Sequence, residues 1–371
     1  MSFETIPTEL ITQIFLSCPT ISSVVALAST CHHFHTIYAS SQRLLMLAHA
    51  AEAEFGPLQD LTQLLTHNSS QPAHLVRNAP FSDALLKQIV HRGRVAEKWC
   101  DLYPFKKWKY DYESRRLLTR EERYRVRRAI YRLWLYTRAF HNPSHPRETR
   151  VQRLVIQKRA QLLHNWSTVE LAEMADVHAV VREVLTRNVC PSNGAISRKF
   201  KKRWGTENGH QLLFNIHLNY PPPSSYQAPY PTKPETFSLS DHFQNNSPSF
   251  SSHTRYNISR HHDPGSEGWG DDIPHYYVVE DMLKLDPEQI LWLKENAPLK
   301  GQVEMWVRSW VGGVEFGEGD WFENNGETWG QTLEWVLGER GEDEVMDMVV
   351  DGVLGVAVDT EVKIGCLGGL E

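Results

Sequence analysis

The apolar positions near the start of the chain fall into short helical clusters. Ile6, Leu10, Ile11, Ile14 and Phe15 recur at i, i+4, i+5, i+8 and i+9, which puts a strongly apolar stripe on a helix over residues 7–17. Pro7 pre-sets the first helical position, where its missing N–H costs nothing, and Glu9 suits the positive end of the helix dipole. Cys18-Pro19 ends that helix. Val24, Leu27, Ala28 and Cys31 give an apolar face to a second helix over 22–31, and Phe34, Ile37 and Tyr38 to a third over 33–38. Three helices this short cannot bury so much apolar surface among themselves. Either the rest of the chain or another protein covers the remainder.

Further along, Leu85, Leu86, Ile89, Val90 and Val95 predict a helix over 81–99, with Ser82 as its cap. Thr119-Arg120-Glu121-Glu122 has the form of a capping box, so a helix starts there and runs to about Phe140, where Asn142-Pro143 stops it. Tyr124, Ile130, Tyr131, Leu133, Trp134 and Leu135 are expected on its inward side. Helices also follow over 151–166, 168–187, 278–296 with a turn at Pro287, and 333–340. Glycine-rich runs at 310–330 and the Val/Gly alternation at 349–358 leave room for a few strands. Residues 219–272 are rich in Pro, Ser, Asn, His and Tyr with almost no aliphatic side chains, so they read as a disordered linker. The expected fold class is mainly α. It comprises three N-terminal helices in 1–46, a basic helical domain in 47–218, the linker in 219–272 and an acidic, Trp- and Gly-rich α or α+β region in 273–371.

Charge sharpens this division. The 371 residues carry a net charge of −6, with 41% hydrophobic and 23% charged residues, a balance that supports a folded core. Segment by segment, 1–86 carries −4, 87–164 carries +14, 165–264 carries +2 and 265–371 carries −18. The basic block and the acidic end either neutralise each other within the chain or serve separate partners. Arg115, Arg116, Arg120, Arg123, Arg125, Arg127, Arg128, Arg132 and Arg138 are interleaved with Tyr124, Tyr131, Trp134 and Tyr136, a combination that can grip phosphates and stack bases. The other reading has the arginines ringing the solvent side of the helix and pairing with the acidic C-terminal region. The aromatics share the core stripe with Leu and Ile, which favours this second reading. The run Arg198 to Arg203 is either a nuclear-import or nucleic-acid patch or a solvated charge run.

Candidate chemistry is sparse. The five cysteines are far apart and no Cys/His cluster has zinc-ligand spacing, so neither a disulfide framework nor a metal is expected. No phosphate loop, complete dinucleotide fingerprint, calcium loop or nucleophile elbow occurs, and the expectation is a non-enzyme without cofactor. The uncharged stretch from Leu10 to Gln42 is too interrupted by polar residues to span a membrane, and Met1 to Thr5 is acidic where a secretory leader is basic. The expected location is the cytoplasm, the nucleus or both. Of the seven tryptophans from Trp269 to Trp335, most are expected in the core. Trp306, Trp310, Trp321 and Trp329 are the candidates for substrate contact, because Trp is enriched at binding hot spots.

The run Ile6-Pro7-x-Glu9-Leu10-Ile11-x-x-Ile14-Phe15, followed by Val24-Val25-Ala26-Leu27-Ala28-Ser29-Thr30-Cys31-His32-His33-Phe34, resembles an F-box. The resemblance covers roughly residues 4–46. It departs from the family pattern at Phe34, where Trp is usual, at His33, at Ser22-Ser23 and at Cys18-Pro19. More weakly, Leu117 to Tyr124 and Ala129 to Tyr136 are similar to stretches of fungal F-box proteins that have no standard repeat. The resemblance implies a substrate receptor of an SCF (Skp–cullin–F-box) ubiquitin ligase. Its F-box would dock on a Skp-family adaptor, and through it on cullin, while the rest of the chain holds an unidentified target protein. Ile6, Pro7, Leu10, Ile11, Ile14, Phe15, Val24, Leu27 and Phe34 are the residues it implies at the adaptor face. Two alternatives stay open: a nucleic-acid-associated nuclear protein using the basic block, and an F-box scaffold without ubiquitin transfer.

Overall fold

The arrangement of helices is given by a computed structural model that describes residues 6–68, 70–77, 79–142, 144–145, 149–192, 195, 275–298, 302–303, 306, 327–342 and 353. The chain is mainly helical, with no strand among the described residues. The linker at 219–272 and the two stretches expected to form strands fall almost wholly outside them.

The first unit comprises Met1–Ala139, Arg153–Val180 and Trp329–Glu371. It opens with α1 (Thr8–Leu16), α2 (Ile21–Ala28) and α3 (His32–Tyr38), close to their expected bounds. Two helices that the hydrophobic pattern did not single out follow, α4 (Arg43–Phe55) and α5 (Leu58–Thr66). They complete the core of the first three: Met46, Leu47 and Ala50 of α4 are buried in one cluster with Ile11, Phe15, Val24, Ala28, Phe34 and Ile37. Residues 1–46 are therefore not closed by themselves, as the surface arithmetic of short helices requires. The start of α2 is capped twice. The Ser23 N–H donates to Thr20 Oγ1 at 3.0 Å, and the Ile21 N–H donates to Glu54 of α4 at 2.9 Å.

Helix α6 (Asp83–Lys107) starts at the expected Ser82 cap, with the Leu85 N–H donating to Ser82 Oγ, but it runs eight residues past Trp99. Trp99, Cys100 and Tyr103 are buried along that extension. At Gly93 it is pressed by the Phe55 ring: a Cβ there would stand 2.4 Å from Phe55 Cδ1 and 3.0 Å from Phe55 Cβ. Helix α7 (Arg120–Phe140) begins with the expected capping box. The Glu122 N–H donates to Thr119 Oγ1 at 3.2 Å, and the Thr119 N–H donates to Glu122 Oε2 at 2.7 Å. Arg116 adds its guanidinium to the same carboxylate, and that hydrogen bond holds the Glu122 pKa below the usual range. Ile130, Tyr131, Leu133, Trp134 and Leu135 point inward as expected, whereas Tyr124 is exposed although Val126, two residues on, is fully buried.

Helices α8 (Arg153–Leu163) and α9 (Thr168–Val184) match their expected positions, and α9 continues into a π-helical turn at Leu185–Val189. The last described helix, α12 (Trp329–Arg340), packs on α8 within the first unit. The Tyr136 hydroxyl meets Thr332 Oγ1 at 2.8 Å, and Trp329 sits edge-on against the Tyr136 ring at 5.5 Å. Residues 329–340 are thus joined to the basic helical body and are not part of a separate C-terminal domain.

The second unit comprises Phe140–Gln152 and Val181–Thr328. Here α10 (His275–Met282) and α11 (Pro287–Asn296) pack against the π-helical turn. The expected turn at Pro287 separates the two helices. Asp286 caps α11 through a reciprocal pair with Gln289, at 2.9 and 3.0 Å, and Pro287 occupies the first helical position.

Two measurements check this packing. Gly93→Ala gains about 1 kcal/mol of helix propensity but drives a methyl into a ring whose own Cβ is in the way. The expected net loss is about 1–2 kcal/mol in urea denaturation. Glu122→Gln is expected to cost about 1–2 kcal/mol at neutral pH. Because the native Glu122 pKa lies below its unfolded value, its contribution is complete above the unfolded value and fades as pH falls through the native one. The stabilities of wild type and variant should therefore converge in acid.

Candidate functional site

Adjacent positions on α1 have opposite fates. Ile11 and Phe15 point into the core, where Phe15 meets Phe34 edge-on at 6.3 Å and Tyr38 at 6.2 Å. Leu10 and Ile14, about 100° round the helix from them, point outward and are 56% and 43% exposed. Pro7 is exposed with them, and Val25 of α2 is a further exposed apolar side chain. Ile6 and Leu27 are half-buried and pack on the edge of the cluster.

The nine residues expected at an adaptor face therefore divide. Pro7, Leu10 and Ile14 present surface, and Ile6 and Leu27 present part of theirs. Ile11, Phe15, Val24 and Phe34 present none, because α4 covers them. These four hold the face in shape without forming it. The pattern that could have shown this is the apolar Met46, Leu47 and Ala50 at helical spacing, a core that extends beyond residue 46.

Several arginines of α7 form ion pairs within the first unit. Arg123 reaches Glu97 and Asp101 of α6, and Arg127 reaches Glu97 at 2.6 Å while its Nε donates to the Gly56 carbonyl at 2.9 Å. Arg128 grips Glu173 of α9 with two nitrogens and Glu170 at 3.2 Å. Arg132 lies between Asp60 of α5 at 2.8 Å and Glu170 at 2.9 Å. Arg125 lies 3.9 Å from Glu173 and donates to the Val353 carbonyl.

Among the described residues the partners of these arginines are thus carboxylates of α5, α6 and α9, whereas the expectation placed them in the acidic C-terminal region, most of which lies outside the described residues. Packing explains the difference: Arg127 and Arg132 are buried, so their counter-charges have to come from the helices that bury them. Burial pushes the Asp60 and Glu173 pKa values up even against Arg132 and Arg128. At Glu170 the same burial is outweighed by the Ser167 N–H and Arg132, and its pKa falls. Guanidiniums held in this way do not form an open cationic track along α7.

The tryptophan candidates also separate. Trp329 is 2% exposed in the core of the first unit, because the Tyr136 ring covers it, and has no surface to offer a substrate. Trp306 is half-buried and stacks on Trp292 at 5.8 Å. Trp310 and Trp321 lie outside the described residues. Trp292 was not singled out in the sequence. It is exposed, and it lies on α11 opposite the side buried through Ile290, Leu291 and Leu293, so the helical wheel could have identified it.

Among the described residues no cluster of His, Cys, Asp and Glu is placed to hold a metal ion, and no helix is long and apolar enough to cross a membrane. Cys100 is buried, its thiol directed at the Arg123 carbonyl and its pKa pushed up to about 12 by that burial, the opposite of an activated nucleophile. Compared with known proteins, the chain matches no family model, no curated protein and no solved structure.

Glu173→Gln tests the arginine network. It leaves Arg128 half-buried without its main counter-charge and is expected to cost about 3 kcal/mol in chemical denaturation. Added salt should alter that loss little, in contrast to the exposed pair Arg43–Asp83.

Proposed function

We propose that the chain is the substrate-recognition subunit of an SCF-type ubiquitin ligase, with its N-terminal helices docking on a Skp-family adaptor. The observation that carries this reading is the outward turn of Leu10 and Ile14 from a cluster in which Ile11 and Phe15 are already buried. The sequence that resembles an F-box thus has both a satisfied core and an unused apolar strip. Helix-borne anchors at i and i+4 suit recognition by a groove on another protein.

In this role the chain needs no catalytic residue. It raises the effective concentration of a target lysine near a ubiquitin-charged enzyme brought by cullin, and it acts through proximity and orientation. Trp292 and Trp306, stacked and partly exposed, are the side chains proposed to hold the target.

Purified full-length chain is expected to capture a purified Skp-family adaptor. Leu10→Asp combined with Ile14→Asp should lower the affinity by about a hundredfold while leaving thermal stability unchanged, because both side chains face away from the core. Wild type that captures no adaptor, or a double variant that captures it equally well, would refute the proposal.

A further inference from the structure

Between the end of α1, the middle of α4 and the start of α7 lies an open cleft of about 420 Å³ whose walls include Ser17, Glu52, Arg120, Tyr124 and Arg127. Its size is that of a binding site for a few side chains. Arg127 is already engaged, by the Gly56 carbonyl and by Glu97. Arg120 and Glu52 are not matched in this way. Among the described residues neither makes an ion pair, although Arg123, Arg125, Arg127, Arg128 and Arg132 of the same helix each meet a carboxylate. Glu52 accepts the Leu58 N–H at one carboxylate oxygen and, like Arg120, is exposed. The cleft thus offers an exposed cation on α7 and an exposed anion on α4, neither in an ion pair among the described residues.

Ser17 connects this cleft to the outward strip of α1. Leu10, Ile14 and Ser17 are spaced i, i+4 and i+7 and share one side of the helix. All three are exposed, and Ser17 stands at the cleft wall. A protein lying along Leu10 and Ile14 reaches the cleft as it passes the end of α1.

We propose that the Skp-family adaptor covering Leu10 and Ile14 also fills this cleft, setting an acidic side chain on Arg120 and a basic one on Glu52. This inference rests on the adaptor reading above. A partner segment of mixed sign satisfies both walls, whereas a segment of one sign is rejected by one of them. The second point of attachment lies outside the F-box-like helices, so the adaptor is fixed against α4 and α7 as well. The angle at which the receptor body is carried is then set by the receptor itself.

The test is a titration of purified full-length chain with purified Skp-family adaptor at low and at moderate salt. Arg120→Glu and Glu52→Gln are the variants. The first places an acid in the first turn of α7, where it is tolerated, and the second keeps the acceptor for the Leu58 N–H, so both should melt at the wild-type temperature. Each is expected to weaken binding by about five- to tenfold and to flatten its salt dependence, while Lys109→Glu, away from the cleft, changes neither. If both variants bind like wild type while Leu10→Asp with Ile14→Asp abolishes binding, the cleft inference is overturned and the adaptor reading survives. If wild type binds no adaptor, both are overturned.

Discussion

Burying arginine in a helical core is tolerable only when each guanidinium is met by carboxylates and carbonyls on the helices that bury it. That condition governs the first unit. Arg127 and Arg132 require Glu97, Asp60 and Glu170, and those residues belong to three different helices, so α5, α6 and α9 have to close around α7 in one register. The hydrogen bond from the Tyr131 hydroxyl to the Phe55 carbonyl fixes the end of α4 to the same helix. Since α4 also supplies Met46, Leu47 and Ala50 to the N-terminal cluster, the orientation of α1 depends on charges buried one layer away. The apolar strip at Leu10 and Ile14 therefore stands on helices tied into that buried network.

How far the sequence disclosed this varied with how local the cause was. The capping box at Thr119 and Glu122, the cap at Ser82 and the turn at Pro287 depend on side chains within four residues of one another, and each lies where the sequence pattern puts it. The continuation of α6 past Trp99 depends on contacts from distant helices to Trp99 and Tyr103, which no local pattern encodes. The described charge partners of α7 were not legible for a related reason. Segment totals show that positive and negative charge must meet, but they do not show which helices fold next to one another. The single glutamates and aspartates that matter, at 60, 97, 170 and 173, are spread through segments that look unremarkable in composition.

The candidate site was legible in kind but not in detail. The stripe from Ile6 to Phe15 identified a helix with both a buried and an exposed apolar edge. It was too wide to be all core, and only the presence of α4 determines which edge is buried and which is exposed. Trp329 and Trp292 make the same point for the tryptophans. Residue type gave no means of telling the one sealed under Tyr136 from the one turned outward.

The split along α1 bears on how the helix can vary between lineages. Ile11 and Phe15 are bound to the shapes of Met46, Leu47 and Phe34, so change there requires compensating change within the same polypeptide. Leu10 and Ile14 lie outside that buried cluster and are exposed, so their side chains can vary without disturbing it. Two neighbouring positions are thus constrained differently, one by the fold of the protein itself and the other only by what its surface meets.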